Sequence, residues 1–124
     1  MPIAILVLLV QCLLSLIFLF TGSTKVFLNG KKLERFVPIS KDIPVGLLRK
    51  IGSLELLASF GIAIPVCSGF FPMLVLFADA GIIFLMIGAA IYHINRKQWM
   101  MFASNVIITG MSLFVIYEMM FTGQ

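Results

Sequence analysis

The chain has 124 residues, of which 61% are hydrophobic and 11% are charged, and its formal net charge is +4. A composition this apolar excludes a soluble globular domain, and the length leaves no room for a nucleotide-binding fold beside membrane helices. Loops beside anionic lipid headgroups explain the positive charge better than nucleic-acid binding does, so we expect no nucleic-acid partner.

Four apolar runs are each long enough to cross a bilayer, whose hydrocarbon core needs about 20 apolar residues per helix. We predict transmembrane helices at about residues 2–24, 47–66, 72–92 and 99–121, so that residues 1–124 form a single domain. The expected fold class is an all-α membrane protein. It is an up-down bundle of four transmembrane helices with an amphipathic cytoplasmic loop after helix one, and the lipid bilayer is its immediate partner.

The long connection after helix one mixes basic and apolar side chains. Lys31, Lys32 and Arg35 stand beside Leu33 and Phe36. This mixture is typical of a short amphipathic segment that lies on the membrane surface. Two prolines, Pro38 and Pro44, interrupt the connection, so any helix there is short.

Helix two is expected to end near Pro65, and the connection that follows it is brief. Such a connection forces helices two and three into an antiparallel hairpin. Pro72 then occupies the first turn of helix three, where proline is favoured.

The basic residues predict the orientation in the membrane. All nine Lys and Arg lie between helices one and two, at the start of helix two, or just after helix three. Cytoplasmic loops retain Lys and Arg. We therefore predict that loops 25–46 and 93–98 are cytoplasmic and that both termini lie outside, most simply in a bacterial cell membrane.

The two cysteines, Cys12 and Cys67, lie within helix one and in the outer connection. About ten residues of helix, or about 15 Å of rise, separate Cys12 from the outer face. A disulfide needs Cα atoms closer than about 7 Å, so we expect no intrachain bridge. The chain has no CxxC motif, which a thiol-relay enzyme would need.

Polar and small residues form one stripe on each predicted helix at helical spacing. Pointed inward, these stripes give a polar axis and an apolar exterior, as lipid demands. From a rise of about 1.5 Å per residue we expect two polar layers. The residues of both layers are candidates for ligand binding or for the polar core. The inner layer contains Lys25, Glu55 and Asn105, with His93 nearer the surface. The outer layer contains Asp79 with Gln11.

The two carboxyl groups inside predicted helices are costly, since insertion of a central Asp costs about 3 kcal/mol. Ionisable groups at such positions are functional hypotheses by default. Glu55 either serves a function or pairs with Lys25 and fixes the packing of helices one and two. Asp79 has no basic residue at its depth. It is protonated, hydrogen-bonded to Gln11, or open to a water-filled cavity.

No catalytic or metal-binding motif is visible in the sequence. The chain has one His, two separated Cys and scattered carboxyl groups, which do not form a metal-ligand pattern. Nucleophile and phosphate-binding motifs are absent as well. We therefore predict no metal and no catalytic residue, and the sequence favours a protein that is not an enzyme.

Three segments resemble the DoxX-like family of small four-helix membrane proteins. Residues 16–25 resemble its F-x-x-x-G-x-x-K end of helix one, and Gly52 to Ala58 with Pro65 resemble its G-x-x-E-L-x-A…P second helix. Residues 85–93 resemble the end of its third helix. The order and spacing of these segments extend the resemblance over nearly the whole chain.

The resemblance implies a fold and a membrane location more than a mechanism. Lys25 and Glu55 fall on the family's recurrent polar positions. Asp79 does not, because the family usually has a small or apolar residue there. Some members are linked to thiosulfate–quinone oxidoreductase or to thiol-redox membrane complexes, and others resemble receptor-assembly chaperones.

Three functions compete. The first is a non-catalytic subunit or assembly factor of a membrane complex, with a membrane-protein partner or a homo-oligomer and no evident cofactor. The second is a quinone- or lipid-binding subunit of a thiol or sulfur redox complex, with Lys25, Glu55 and His93 at the polar end of its pocket. The third is a small proton-coupled exporter, but such transporters place their key Glu in helix one, where this chain has no carboxylate.

Overall fold

The computed structural model describes residues 2–37, 41–69 and 73–121. Five helices follow one another in these ranges: α1 (Pro2–Phe27), α2 (Gly30–Phe36), α3 (Val45–Ser68), α4 (Met73–Asn95) and α5 (Trp99–Phe121). The four long helices, α1, α3, α4 and α5, have the length and the apolar composition to cross a membrane. The predicted fold class, an all-α membrane protein with four spanning helices, is confirmed.

The four long helices pack as a ring in the order α1, α3, α4 and α5. The most extensive contacts join α1 to α3 and α4 to α5, and smaller ones join α3 to α4 and α5 to α1. Helices α1 and α4 therefore lie diagonally across the ring, as do α3 and α5. Leu14, Phe18, Ile62, Ile82 and Val115 fill its centre.

The exterior of the ring carries large apolar side chains. Leu9, Phe77, Phe84 and Ile107 are each at least 60% exposed. Water would penalise such a surface, whereas lipid tails cover it without cost. The chain is therefore an integral membrane protein.

The helices run further than the sequence predicts. Helix α1 continues to Phe27, and α3 passes through Pro65 to Ser68. A proline this close to the end removes only one backbone donor. Gly69 then ends α3 in the left-handed region, with φ 78° and its N–H donating to the Pro65 carbonyl at 2.8 Å. The predicted roles of Pro38 and Pro72 lie outside the described residues.

Helix α2 occupies the segment that the sequence identifies as amphipathic. Leu33 and Val37 are buried against Leu48 at the start of α3, in a small core separate from the main one. The basic side chains of α2 are exposed: Lys31, Lys32 and Arg35. We call this end of the bundle, which also carries the α4–α5 turn, the basic end.

Candidate functional site

Helices α1 and α3 cross in backbone contact at two glycines. A β-carbon on Gly22 would lie 2.8 Å from the Gly52 carbonyl oxygen, and one on Gly52 would lie 2.7 Å from Cβ of Lys25. Only glycine permits so close an approach, and small residues at membrane helix interfaces serve this purpose. The crossing therefore brings the stem of Lys25 directly against α3.

The Lys25 and Glu55 side chains form a buried ion pair beside this crossing. Lys25 Nζ lies 2.5 Å from Glu55 Oε1, and the Thr21 hydroxyl donates to Glu55 Oε2 at 3.0 Å. The Glu55 side chain is only 4% exposed and that of Lys25 is 19% exposed. Both carboxylate oxygens thus have a donor, which offsets the cost of holding a charge away from water.

Two serines join the same helices deeper in the bundle. The Ser15 hydroxyl donates to the Ser59 carbonyl at 3.1 Å, and the Ser59 hydroxyl donates to the Ser15 carbonyl at 2.8 Å. Reciprocal hydrogen bonds of this kind join membrane helices where the hydrophobic effect gives no driving force. The α1–α3 pair is therefore held by glycines, serines and one ion pair.

Arg49, at the start of α3, caps the carboxyl end of α1. Its guanidinium donates to the Lys25, Val26 and Leu28 carbonyls at 2.7–2.8 Å and to Asn29 Oδ1 at 2.6 Å. The last carbonyls of a helix have no intrahelical donor, and a cation there also complements the helix dipole. Arg49 and Thr21 are the polar contributors that sequence reasoning missed.

Asn105, which the sequence predicts in the same polar layer as Lys25 and Glu55, does not join their ion pair. In the orientation that satisfies both ends of its amide, Asn105 accepts from the Ala90 N–H at 3.0 Å and donates to the Met101 carbonyl at 3.2 Å. These partners lie on α4 and α5. Glu55 lies on α3, diagonally across the ring, so equal depth does not bring the two side chains together.

His93 belongs to the turn between α4 and α5. Its Nδ1 lies 2.7 Å from Gln98 Oε1, and the Gln98 N–H donates to the His93 carbonyl at 2.9 Å. The residue is 8% exposed. In the described residues these contacts tie His93 to the turn and not to Lys25 or Glu55.

Asp79 and Gln11, which the sequence predicts together in the outer polar layer, are not hydrogen-bonded to each other. The Gln11 amide donates to the Met119 sulfur of α5 at 3.8 Å. Asp79 is fully buried, and neither of its oxygens has a hydrogen-bond partner in the described part of the chain. Gln11 lies on α1 and Asp79 on α4, which face each other only diagonally.

A second polar link closes the basic end. Asp42, just before α3, accepts from the Tyr92 hydroxyl at 2.6 Å and pairs with Arg96 at 2.8 Å. The Tyr92 hydrogen bond and the Arg96 guanidinium hold the pKa of the Asp42 carboxyl below its ordinary value. Asp42 in turn raises the pKa of Arg96. This exposed link ties the connection before α3 to the end of α4.

An apolar groove of about 460 Å³ lies between α3 and α4 on the exterior of the ring. Its small lining residues are Ala58, Gly61, Ala78 and Gly81. Ala58 and Ala78 are buried and form the floor, whereas larger residues such as Phe77 and Phe84 are 69% and 78% exposed and form the walls. We call this feature the α3–α4 groove.

The sequence predicts no metal site, and such a site would need several ligating side chains close together. Among residues 2–37, 41–69 and 73–121, no three His, Cys, Asp or Glu side chains come together in a way that could hold a metal ion. The arrangement that the structure does offer is an ion pair inside the ring and an apolar groove outside it.

The DoxX-like family model matches residues 9–115 of the chain. The chain belongs to the DoxX-like family. Comparison with curated proteins and comparison with solved structures gave no match. Four of the residues that carry the sequence resemblance meet at the α1–α3 crossing of this DoxX-like protein: Gly22, Lys25, Gly52 and Glu55.

Proposed function

We propose that this DoxX-like protein is a non-catalytic subunit or assembly factor of a membrane complex, and that a transmembrane helix of a partner protein occupies the α3–α4 groove. The single observation that carries the proposal is the shape and lining of that groove. Its small residues lie at the floor and its large apolar residues stand at the walls.

The shape of the groove favours a helix as its occupant. Gly61 lets α3 pack closely against Ala78 of α4, which keeps the floor of the groove low. Small residues along such a floor let a neighbouring backbone approach closely. A β-carbon on Gly81 would meet nothing within 4 Å, so the space above it is open. Phe77 and Phe84 flank that space and would pack around an inserted side chain. The all-apolar lining predicts a partner that presents apolar side chains.

The internal contacts of the bundle support a structural role for its polar residues. Lys25, Thr21 and Glu55 satisfy one another, and Ser15 and Ser59 do the same. These groups hold α1 against α3, and none of them lines the α3–α4 groove. The groove is thus an apolar surface that the bundle's own polar contacts do not use.

A single substitution in the groove tests the proposal. Gly81→Leu adds an apolar side chain to the groove at a position where a β-carbon meets nothing within 4 Å. Gly110→Leu is the matched control, because a β-carbon there meets nothing either and Gly110 lies outside the groove. Tagged protein is extracted in mild detergent and its partners are quantified by mass spectrometry. We expect wild type and Gly110→Leu to recover a membrane-protein partner in stoichiometric amount. The amount recovered with Gly81→Leu should be at least tenfold lower.

Other results would contradict the proposal. Equal recovery of the partner with Gly81→Leu and Gly110→Leu would remove the groove from the interface. Recovery of a second copy of the chain in place of another protein would make the groove a homo-oligomer interface. Recovery of lipid alone would make it an ordinary bilayer-facing surface.

We also propose that the protein resides in a bacterial cell membrane with both termini outside. The basic residues support this orientation, since Lys31, Lys32, Arg35, Arg96 and Lys97 all belong to the basic end. The connection that contains Cys67 would then face the exterior.

The quinone-binding alternative has less support. It needs Lys25, Glu55 and His93 at the polar end of one pocket, but Glu55 faces α1 and His93 bonds to Gln98. Stoichiometric quinone in the gently extracted protein, lost in Glu55→Ala, would restore this alternative. Proton-coupled export has the least support, because α1 contains no acidic residue.

A further inference from the structure

Three buried polar atoms between α4 and α5 have no hydrogen-bond partner among the described residues: Asp79 Oδ1, Asp79 Oδ2 and Ser112 Oγ. Both residues are completely buried. The Ser112 hydroxyl is the polar group that faces the carboxyl, although the two side chains do not reach hydrogen-bond geometry. Buried polar atoms without partners are rare in proteins, so this cluster needs an explanation.

Two of the three states that the sequence allows for Asp79 do not agree with the structure. Gln11 donates to Met119 and not to Asp79. Asp79 has no exposed surface, so its carboxyl does not open onto water. The state that remains is a neutral carboxylic acid.

No charged group offsets a negative charge at this position. Among the described residues Asp79 belongs to neither ion pair, and its two oxygens have no hydrogen-bond partner. On α5 the titratable residues after Ser112 are Tyr117, which is exposed, and Glu118, which has an interaction of its own. On α3, Glu55 is paired with Lys25 of α1, and the other titratable residues lie near the ends of the helix: Arg49, Lys50 and Cys67. The remaining titratable residue of α1 is Cys12, which is exposed. On α4 itself the titratable residues are Tyr92 and His93, about three and a half turns beyond Asp79.

We propose that Asp79 is a proton-binding site in the membrane interior: its carboxyl group keeps a proton and, after a small side-chain movement, donates a hydrogen bond to Ser112 Oγ. An isolated buried carboxylate is costly even after relaxation, whereas the neutral acid can act as a donor and needs only one acceptor. One added proton thus satisfies Ser112 Oγ and one oxygen of Asp79.

The site links the proton to the packing of α4 against α5. Loss of the proton leaves an unpaired charge between these helices, and the charge is stable only if water reaches it. Release of the proton therefore requires the α4–α5 interface to open. This inference does not depend on the occupant of the α3–α4 groove.

Infrared spectroscopy of the full chain in lipid bilayers tests the site. We expect the spectrum near neutral pH to contain the C=O stretch of a protonated carboxylic acid that Asp79→Asn removes. Ser112→Ala should keep this band and move it to higher frequency, because the acid loses its acceptor. Glu118→Gln is the control and should leave the Asp79 band in place. Loss of a carboxylate band in Asp79→Asn, with no loss of a protonated-acid band, would overturn the proposal.

Thermal unfolding gives a second readout. Asparagine has the shape of the neutral acid, so Asp79→Asn should unfold near the wild-type temperature at neutral pH. At alkaline pH the wild type should lose stability as Asp79 ionises, and Asp79→Asn should lose less. Parallel alkaline losses in the two proteins would contradict a proton at Asp79.

Discussion

Gly22 and Gly52 face each other across the α1–α3 crossing, where a β-carbon on Gly52 would lie 2.9 Å from the Gly22 carbonyl oxygen. This contact sets the separation of the two helices and hence the distance from Lys25 to Glu55. The glycines and the ion pair therefore act as one unit: the glycines allow the approach, and the ion pair and Thr21 fix its position.

Gly52→Ala should destabilise the bundle. The new methyl group would collide with Cβ of Lys25 and with the Gly22 carbonyl, and neither is a flexible side-chain end. Overpacking of this kind costs about 1–3 kcal/mol. Gly88→Ala is the control, since its methyl group meets nothing, and it should leave stability unchanged or raise it by up to about 1 kcal/mol. Thermal unfolding in detergent measures both, and equal effects would show that α1 and α3 do not touch at Gly52.

Removal of Lys25 alone should cost more than removal of the whole ion pair. Lys25→Met leaves Glu55 buried and unpaired, which costs about 3 kcal/mol or more. Adding Glu55→Gln to Lys25→Met removes the charge and should recover much of the loss. Unfolding measurements on both single variants and the double variant give the coupling energy. Additive effects would mean that the two side chains do not interact in the membrane.

Arg49 should matter far more than its neighbour Lys50. Arg49→Met leaves the last carbonyls of α1 without a donor, and we expect a loss of about 2–3 kcal/mol, the size of hydrogen bonds to a charged group. Lys50→Met is the control because Lys50 is exposed. Similar unfolding temperatures for the two variants would contradict the cap.

The link from Asp42 to Tyr92 and Arg96 should weaken in acid. A carboxyl whose pKa is lowered by folding stabilises the fold above its unfolded pKa and loses that contribution as the pH falls through the folded value. For Asp42 the ordinary value is 3.8, so the loss should come below it. The difference in unfolding temperature between wild type and Asp42→Asn should therefore be present near neutral pH and shrink in acid. A difference that does not change with pH would contradict the link.

The proposed orientation predicts different reactivity for the two cysteines. Cys67 and Cys12 are both free and exposed, but Cys12 lies in the middle of α1 and faces lipid. A membrane-impermeant maleimide added to intact cells should label Cys67 and not Cys12, as single-cysteine variants would show. Labelling of Cys67 only after the cells are opened would reverse the orientation.

The sequence predicts helix positions well and side-chain neighbours poorly. Apolar length sets the four spanning helices, and helical rise places Lys25 and Glu55 at similar depths on two helices that pack together. The same helical rise places Gln11 and Asp79 at similar depths, but these residues lie on α1 and α4, which are diagonally opposite in the ring. Which polar groups meet depends on which helices are neighbours in the ring. The spacing of residues along one helix does not give this information. Arg49 was missed because its partners lie across the longest connection.

Photocrosslinking from the α3–α4 groove shows whether a partner protein occupies it. A photoreactive phenylalanine analogue replaces Phe84 in the groove or, as control, Phe20, which is 61% exposed on α1 and lies outside the groove. On irradiation in native membranes, we expect one discrete protein adduct from position 84, which Gly81→Leu abolishes, and no adduct from position 20. Adducts to lipid alone, or the same protein adduct from both positions, would contradict a partner helix in the groove.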